Sequence, residues 1–258
     1  MSDRWDPERY LAYADERGRP FVDLLARVDA DRPRHVVDLG SGPGNLTGLL
    51  ADRWPGADVV GVDSSPEMVA RARATGVQAR FEVADLRDWR PEQRVDVLVS
   101  NATLQWVPGH LELLPALLAQ VAPGGWFAFQ VPGNFGEPSH VLLRRLAADP
   151  RFAPHVEGAA RPASHDPVVY LERLVGLGCA VDAWETTYLH LLPGEDPVFT
   201  WVSGTGARPV LQALPDPLRA EFETTYRGML RRAYPPGPQG TVLPFRRVFV
   251  VARAPGGA

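Results

Sequence analysis

A glycine-rich segment, Val36 to Asn45, has the residue types and spacing of a site for a small ligand that carries both a positive and a negative charge. Its apolar start and three closely spaced glycines predict a buried strand, a tight turn and the start of a helix. Backbone N–H groups at a helix start attract anions, and Asp38 attracts a cation through bound water or backbone. The segment therefore predicts a pocket for an amino-acid moiety. A dinucleotide is disfavoured, because Asn45 stands where the third glycine of a G-x-G-x-x-G turn belongs.

Polar residues also end three further apolar runs, and open α/β sheets bind ligands at the carboxyl ends of their strands. Asp63 comes about 20 residues after the turn, where a carboxylate accepts hydrogen bonds from a ribose diol. Asp85 is the expected acceptor for an adenine amino group, with Leu86 covering the ring, and Asn101 ends the fourth run. A single acid of this kind is more often a helix cap. Because these polar residues all follow the ends of successive predicted strands, ligand binding is favoured. These residues together predict a site for S-adenosylmethionine (SAM).

The elements that must position these residues alternate between strand and helix. Two short helices are predicted between Pro7 and Val28, before the first strand. Further helices are predicted from Pro66 to Thr75, with Ser65 as N-cap, and from Pro108 to Val121. A fifth strand follows from Trp126 to Val131. This alternation predicts an α/β fold with a doubly wound, mainly parallel sheet.

The second half is less regular, and we expect it to set substrate specificity. Residues 132–167 contain several glycines, prolines and histidines around one helix, Ser139 to Ala148, which predicts an inserted cap. The later elements are expected at Pro167 to Leu177 (helix), Val181 to Leu191 (strand), Pro197 to Gly206 and Pro217 to Tyr234 (helices), and Arg247 to Arg253 (strand). The final hairpin favours a sheet whose last edge is antiparallel. We divide the chain into a helical cover (1–30), a SAM-binding core (31–132) and a cap with the remaining sheet (133–258), in one compact domain.

Composition narrows the class of protein. The net charge of −4 gives no basic field for nucleic acid, and the single cysteine, Cys179, excludes an intramolecular disulfide and a multi-cysteine metal site. No apolar run approaches ~18 residues and the start of the chain is polar. We therefore expect a cytoplasmic protein that binds neither a membrane nor nucleic acid. A monomer is expected, and an oligomer is left open. All 27 basic residues are arginine, so an anionic ligand must be held by arginine, histidine, hydroxyls or backbone.

Several segments together resemble one family, the class I SAM-dependent methyltransferases, and within it the bacterial trans-aconitate 2-methyltransferases. The matching segments are residues 5–11, 16–20, 38–45, 61–66, 100–106, 178–184 and 204–209. The glycine turn alone is typical of the whole superfamily, whereas residues 5–11, 100–106 and 204–209 narrow the resemblance. Ser41 stands where the family often has cysteine. The cap between Gly133 and Asp166 matches least.

The resemblance implies a Rossmann-like sheet of seven strands with an antiparallel last strand and a helical cap. It implies transfer of the SAM methyl group to a carboxylate of trans-aconitate, giving the monomethyl ester and S-adenosylhomocysteine. Because a carboxylic acid with a pKa of about 4 is ionised at neutral pH, no general base and no metal are expected. Two alternatives stay open: a methyltransferase for another carboxylic acid or secondary metabolite, and a non-catalytic SAM-binding protein.

The candidate residues fall into three groups. Those expected to contact SAM are Asp38, Gly40, Ser41, Gly42, Asn45, Asp63, Ser64, Met68, Asp85, Leu86, Asn101 and Leu104. Tyr10 and Trp106 are expected to cover the methyl group, since an aromatic face attracts a sulfonium cation. Those expected to bind the tricarboxylate substrate are Arg17, Arg19, Gln130, Asn134, His165, Arg208 and Arg246, with Arg247 as an alternative to Arg246 and His140 as a second cap histidine. Arg17 or Arg19 could instead bind the SAM carboxylate.

Overall fold

The computed structural model of the protein describes residues 18–257. These residues form two compact units. The first consists of residues 18–131, 165–185 and 248–257, and the second of residues 132–164 and 186–247. The first junction lies one residue from the expected start of the cap at 133. The chain returns to the first unit at residues 165 and 248. The division made from sequence did not include these two returns.

Strands and helices alternate through the first half of the chain. The strands are β1 His35–Leu39, β2 Asp58–Asp63, β3 Arg80–Val83, β4 Val95–Asn101, β5 Val121–Pro132, β6 Ala180–Leu192 and β7 Thr241–Arg253. The helices of the described residues are α1 Arg19–Leu25, α2 Thr47–Arg53, α3 Pro66–Arg73, α4 His110–Leu118, α5 Pro138–Ala147, α6 Ala153–Val156, α7 Pro167–Val175, α8 Pro197–Ser203, α9 Arg208–Ala213 and α10 Asp216–Ala233. A 3-10 turn, Leu104–Trp106, follows β4. None of these helices is long and apolar enough to cross a membrane.

The strands of the described residues form one sheet in the order β3-β2-β1-β4-β5-β7-β6. Strand β1 pairs in parallel with β2 and β4, β2 with β3, and β4 with β5, while the last strand is antiparallel. The expected mainly parallel sheet of seven strands is thus confirmed. The last strand of the chain, β7, lies between β5 and β6 rather than at an edge of the sheet. Local patterns specify a strand but not its neighbours.

Strand register brings the carboxyl ends of the first strands to the same edge of the sheet. Asp38 lies opposite Gly61 on β2 and Val99 on β4. Asp63 lies opposite Val83 at the end of β3, so the acid that ends β2 is beside the turn that leads to Asp85. Because β1 and β4 are buried on nearly every residue, both faces of the sheet are covered, as expected for parallel strands.

Several boundaries differ from the expected ones. Ser65 caps α3 as expected, because its Oγ accepts a hydrogen bond from the Met68 N–H at 3.3 Å. Strand β5 begins at Val121 rather than Trp126, because Gly124, at a φ of +72°, lets the chain continue as strand past a register shift opposite β4. Helices α6 and α9 were not expected, and β7 begins six residues before its expected start at Arg247. The first expected helix begins before residue 18, outside the described residues.

The second unit has its own core around α10. Phe222 and Tyr226 of α10 are buried among apolar side chains from α5, α8 and α9. The Tyr226 hydroxyl donates to the Ser139 carbonyl at 2.7 Å, and the Ser139 N–H donates to the Tyr234 hydroxyl at 3.1 Å. These hydrogen bonds fix the start of α5 against α10, so the second unit has a defined helical interior.

Candidate functional site

The glycine turn after β1 has a backbone that side chains would disrupt. Gly40, Gly42 and Gly44 have φ values of +79°, +55° and +80°, in the left-handed region that glycine adopts without strain. A Cβ atom on Gly40 would also lie 2.0 Å from Oγ1 of Thr103, the residue that leads into the 3-10 turn. The Gly40 N–H donates to the Val62 carbonyl at 2.7 Å. The turn is therefore held tightly against the ends of β2 and β4.

Asp63 connects this turn to α3. One carboxylate oxygen accepts a hydrogen bond from the Gly42 N–H at 2.9 Å, and the other accepts one from the Ser65 N–H at 2.8 Å. Each carboxylate oxygen has a second lone pair, so both can still accept a bond from a diol. The sequence placed Asp63 at the site but did not reveal this second task. Its role as ribose ligand stays a prediction.

Asp38 is a buried acid at the base of the turn. Its exposed fraction is 2 %, and its carboxylate accepts a hydrogen bond from the Thr47 hydroxyl at 2.7 Å. Burial raises the pKa of Asp38 to about 6, against the lowering effect of Thr47, and the charge of Asp63 adds to the rise. A buried acid with an elevated pKa is stabilised in its charged form by a nearby cation. Asp38 is thus suited to attract an ammonium group.

We expect Asp38→Asn to make the ligand-free protein more stable at pH 8. The pKa of about 6 in the folded state exceeds the ordinary value of 3.8 for an aspartic acid, so the folded protein favours the protonated acid. Burial of the carboxylate therefore costs stability above pH 6, by up to about 3 kcal/mol, and this cost disappears as the pH falls towards 4. The asparagine oxygen can still accept from Thr47. Thermal unfolding of both proteins should show a higher Tm for the variant at pH 8 and a smaller difference at pH 4. A lower Tm at pH 8 would contradict the assignment.

The candidate adenine contact, Asp85, already has a partner. Its carboxylate accepts hydrogen bonds at 2.9 Å from both the Arg87 backbone N–H and the Arg87 Nε. The guanidinium of Arg87 holds the pKa of Asp85 at about 2, so this acid is ionised at neutral pH. Leu86 beside it is buried. Sequence analysis did not include Arg87, and the adenine contact of Asp85 stays a prediction.

Unpaired polar atoms lie in the turn after β1 and at the end of β4, and a strained residue follows β4. Oδ1 of Asn101 and Oγ of Ser41 are buried and have no hydrogen-bond partner within the described residues. Ala102 has a φ of +52°, which is uncommon for a residue with a side chain and is concentrated at functional sites. Its N–H donates to the Gln130 carbonyl at 2.9 Å, which helps to hold this conformation. Unpaired buried oxygens at the expected strand ends indicate a ligand that supplies the missing donors.

The other expected SAM contacts differ in their exposure to solvent. Ser64 and Asn45 are exposed, and Met68 is half-buried on α3. Leu104 is buried at the start of the 3-10 turn, whereas Trp106 at its end is 39 % exposed. An aromatic side chain with this exposure is accessible to a ligand, so its proposed position over the methyl group stays a prediction.

A polar cluster that sequence analysis missed lies in the first unit. The His110 ring accepts from the Tyr170 hydroxyl at 2.7 Å through Nε2, since Nδ1 faces the Val107 carbonyl at 3.3 Å and so carries the proton. The Tyr170 hydroxyl in turn accepts from the His165 N–H at 3.1 Å. Burial lowers the pKa of His110 and raises that of Tyr170 to about 12. The cluster fixes the backbone of His165, whose side chain is exposed. No group of three or more His, Cys, Asp or Glu in residues 18–257 is arranged to hold a metal ion.

Two of the expected substrate ligands are close together in the second unit. The Gly133 N–H donates to the Arg246 carbonyl at 2.9 Å, and the Arg246 guanidinium donates to the Gly133 carbonyl at 3.1 Å. Arg246 is thereby fixed beside Asn134, which follows Gly133. Asn134 is 2 % exposed, and its Oδ1 has no partner within the described residues. Gln130, in the first unit, is buried. Their contacts with substrate stay predictions.

The remaining expected arginines differ in environment. Arg208 is the first residue of α9 and is exposed, so its guanidinium is accessible to an anion. Arg247 is 5 % exposed, with its guanidinium 4.7 Å from the centre of the Phe245 ring. Arg19 is exposed on α1 and lies 3.8 Å from Asp23. Tyr10 and Arg17 lie outside the described residues.

Comparison with known proteins supports the interpretation of the glycine turn. The profile of a family described as a methyltransferase domain matches residues 10–162. The chain is 55 % identical to the trans-aconitate 2-methyltransferase of Streptomyces avermitilis, over 96 % of each chain. It is 53 % identical to the protein of the same name from Rhodococcus jostii, covering 96 % of this chain and 99 % of that one.

Among solved structures the fold resembles that of the YcgJ protein from Bacillus subtilis, with a TM-score of 0.59. The alignment covers 94 % of this chain and 100 % of the other, at 13 % sequence identity. At so low an identity the likeness concerns the fold alone.

Proposed function

This chain belongs to the methyltransferase domain family, and we propose that it transfers the methyl group of SAM to a carboxylate of trans-aconitate. The products would be the monomethyl ester and S-adenosylhomocysteine. The observation that carries this proposal is the 55 % identity, over 96 % of both chains, to a protein named for this reaction. An assay with labelled SAM against di- and tricarboxylates tests it, and trans-aconitate is expected to accept label fastest.

The first unit supplies the groups that would bind SAM. We assign the ribose to Asp63, the adenine to Asp85 and Leu86, and the amino-acid moiety to the glycine turn with Asp38. The unpaired oxygens of Asn101 and Ser41 fit a ligand with N–H or O–H donors. Bound SAM would supply a methyl group on a sulfonium, and a carboxylate oxygen would attack the methyl carbon as the C–S bond breaks towards sulfur. No proton is transferred in this step, so the residues act by orienting the reactants and excluding water.

The absence of a proton transfer leads to a prediction about the histidines. We expect His140→Gln and His165→Gln to keep turnover within about tenfold of the wild type, with any loss confined to substrate affinity. Burial and the charge of Arg144 lower the pKa of His140 to about 4, so this ring is neutral at the assay pH. Steady-state kinetics with trans-aconitate provide the measurement. A much larger loss of turnover in a folded variant would indicate a required base and therefore an acceptor hydroxyl or amine.

The other carboxylates of the substrate require positive charge, which we assign to Arg208 together with Arg246 or Arg247. Arg208→Lys keeps the charge but loses the planar pair of donors that matches a carboxylate. We expect the KM for trans-aconitate to rise about tenfold, consistent with about 1.5 kcal/mol for a charged hydrogen bond, while SAM affinity is unchanged. Arg145→Lys, at an exposed position on α5, is the matched control.

High salt should raise the wild-type KM for trans-aconitate, because the attraction between exposed charges is screened within ~10 Å at 0.1 M salt. Wild-type kinetics for Arg208→Lys would refute this assignment.

A further inference from the structure

The second unit contains a cavity whose lining includes one candidate substrate residue, His140, and none of the others. Its volume is about 620 Å³, and it lies between α5, α6, the segment 157–162 and the start of α9. Binding sites for small molecules typically have volumes of about 300–1,000 Å³. All of the residues that line it belong to the second unit. The cavity is therefore large enough for an organic ligand of its own.

The walls of the cavity are mainly apolar, and many of the residues that form them are small. The larger apolar side chains are Phe135, Leu143, Val156 and Val210, and the small residues are Ala147, Ala148, Ala153, Ala159, Ala160 and Gly206. A Cβ atom on Gly206 would lie 2.4 Å from Cε1 of His140. A larger residue there would push against the histidine ring that lines the cavity. Small side chains thus leave open a space that alkyl groups would fill favourably.

The charged groups of the cavity favour an anion. Arg144 and Arg161 line it together with one carboxylate, that of Glu157. His140 adds no charge at neutral pH, since its pKa is lowered to about 4. The Arg144 guanidinium donates to the Phe135 carbonyl at 2.8 Å. Within residues 18–257 no hydrogen bond or ion pair engages the Arg161 guanidinium. Two positive charges thus face one negative charge, and one guanidinium is available.

We propose that this cavity binds an amphipathic monocarboxylate, with the alkyl chain against the apolar walls and the carboxylate on Arg161. A tricarboxylate such as trans-aconitate has no alkyl chain to cover these walls, and burying its three charges there would be unfavourable. A single carboxylate matches the net charge of the lining and the paired donors of a guanidinium. The ligand is thus chemically distinct from the proposed substrate, and the inference does not depend on the proposed function.

Isothermal titration of the full chain with decanoate, below its micelle concentration, tests the proposal. One decanoate is expected to bind per chain, and butyrate at least thirtyfold more weakly, because butyrate lacks six methylenes that decanoate would bury against the apolar walls. Decyltrimethylammonium, which has the same chain length and the opposite charge, should not compete. Arg161→Gln should weaken decanoate binding about tenfold. Arg145→Gln removes an exposed charge on α5 that does not line the cavity, and it should bind decanoate as the wild type does.

Filling the cavity gives an independent measurement. Ala159→Trp should abolish decanoate binding and leave SAM affinity unchanged, since the candidate SAM residues lie in the first unit. Circular dichroism checks the fold, and if Ala159→Trp is unfolded, Ala160→Trp, at an exposed lining position, replaces it. The proposal is overturned if the wild type does not bind decanoate, if Arg161→Gln binds it equally well, or if a folded tryptophan variant retains binding. If the wild-type protein does not methylate trans-aconitate, the proposed function is refuted, but the proposal for this cavity is not.

Discussion

Replacing Asp63 with alanine is expected to lower the affinity for SAM at least tenfold, equivalent to about 1.4 kcal/mol. The variant loses the two acceptors assigned to the ribose diol. It also loses the hydrogen bonds at 2.9 and 2.8 Å that connect Gly42 and Ser65 through one carboxylate. Both effects act on the same ligand, because the turn that Asp63 holds is the expected site of the amino-acid moiety. Calorimetric titration with SAM gives the dissociation constant directly.

Two further variants separate these contributions. Asp63→Asn keeps one side-chain oxygen as acceptor and should have an intermediate affinity, since charge-assisted hydrogen bonds are about twice as strong as neutral ones. Asp52→Ala removes an exposed aspartate of α2 and should bind SAM normally. An unchanged dissociation constant for Asp63→Ala would rule out Asp63 as the ribose ligand.

Gly40→Ala is expected to reduce stability by about 2–5 kcal/mol and to remove measurable SAM binding in the fraction that folds. The left-handed backbone costs an alanine about 1–2 kcal/mol, and overpacking adds about 1–3 kcal/mol. The overpacking arises because the new Cβ would lie 2.0 Å from Oγ1 of Thr103. Thr103 must move, and with it the strained turn that presents Asn101. Urea unfolding and SAM titration measure the two effects.

Gly42→Ala is the matched control, because Gly42 also has a positive φ, of +55°, but no atom within 4 Å of the added Cβ. It should lose only the backbone contribution, about 1–2 kcal/mol. Adding Thr103→Gly to Gly40→Ala removes the clashing side chain and should restore part of the lost stability. Equal stability losses for the two alanine variants would show that contact with Thr103 does not matter.

The sequence predicted the first half of the sheet well, because buried parallel strands appear as continuous apolar runs that end at polar residues. Asp63 and Asn101 end β2 and β4 as expected. Strand β5 was shortened in the prediction, since Pro123 and Gly124 are ordinary signals of a loop. Pairing with β4 on either side of them, at Val121 and Trp126, marks the longer strand. The position of β7 inside the sheet likewise depends on tertiary pairing. Nothing local to β7 specifies it.

Site residues were predictable where backbone position alone determines them. The glycine turn and the acids at strand ends are of this kind. The hydrogen-bond partners of those acids were not predictable. Arg87 donates to Asp85 and Thr47 donates to Asp38 only because of the directions that their side chains take in the folded chain. His110 and Tyr170 are 60 residues apart, and no periodic pattern connects them. The cavity of the second unit also had no signature, because it results from small residues on separate elements.

The most direct test of the central claim is to identify the product formed from SAM with a labelled methyl group and trans-aconitate. The account predicts that the purified protein places one labelled methyl on trans-aconitate as an alkali-labile ester, with one S-adenosylhomocysteine formed for each ester. Transfer should depend on Asp63 and should be slower with a neutral acceptor of similar size. The account is contradicted if SAM binds but no label reaches trans-aconitate, or if the neutral acceptor is methylated faster.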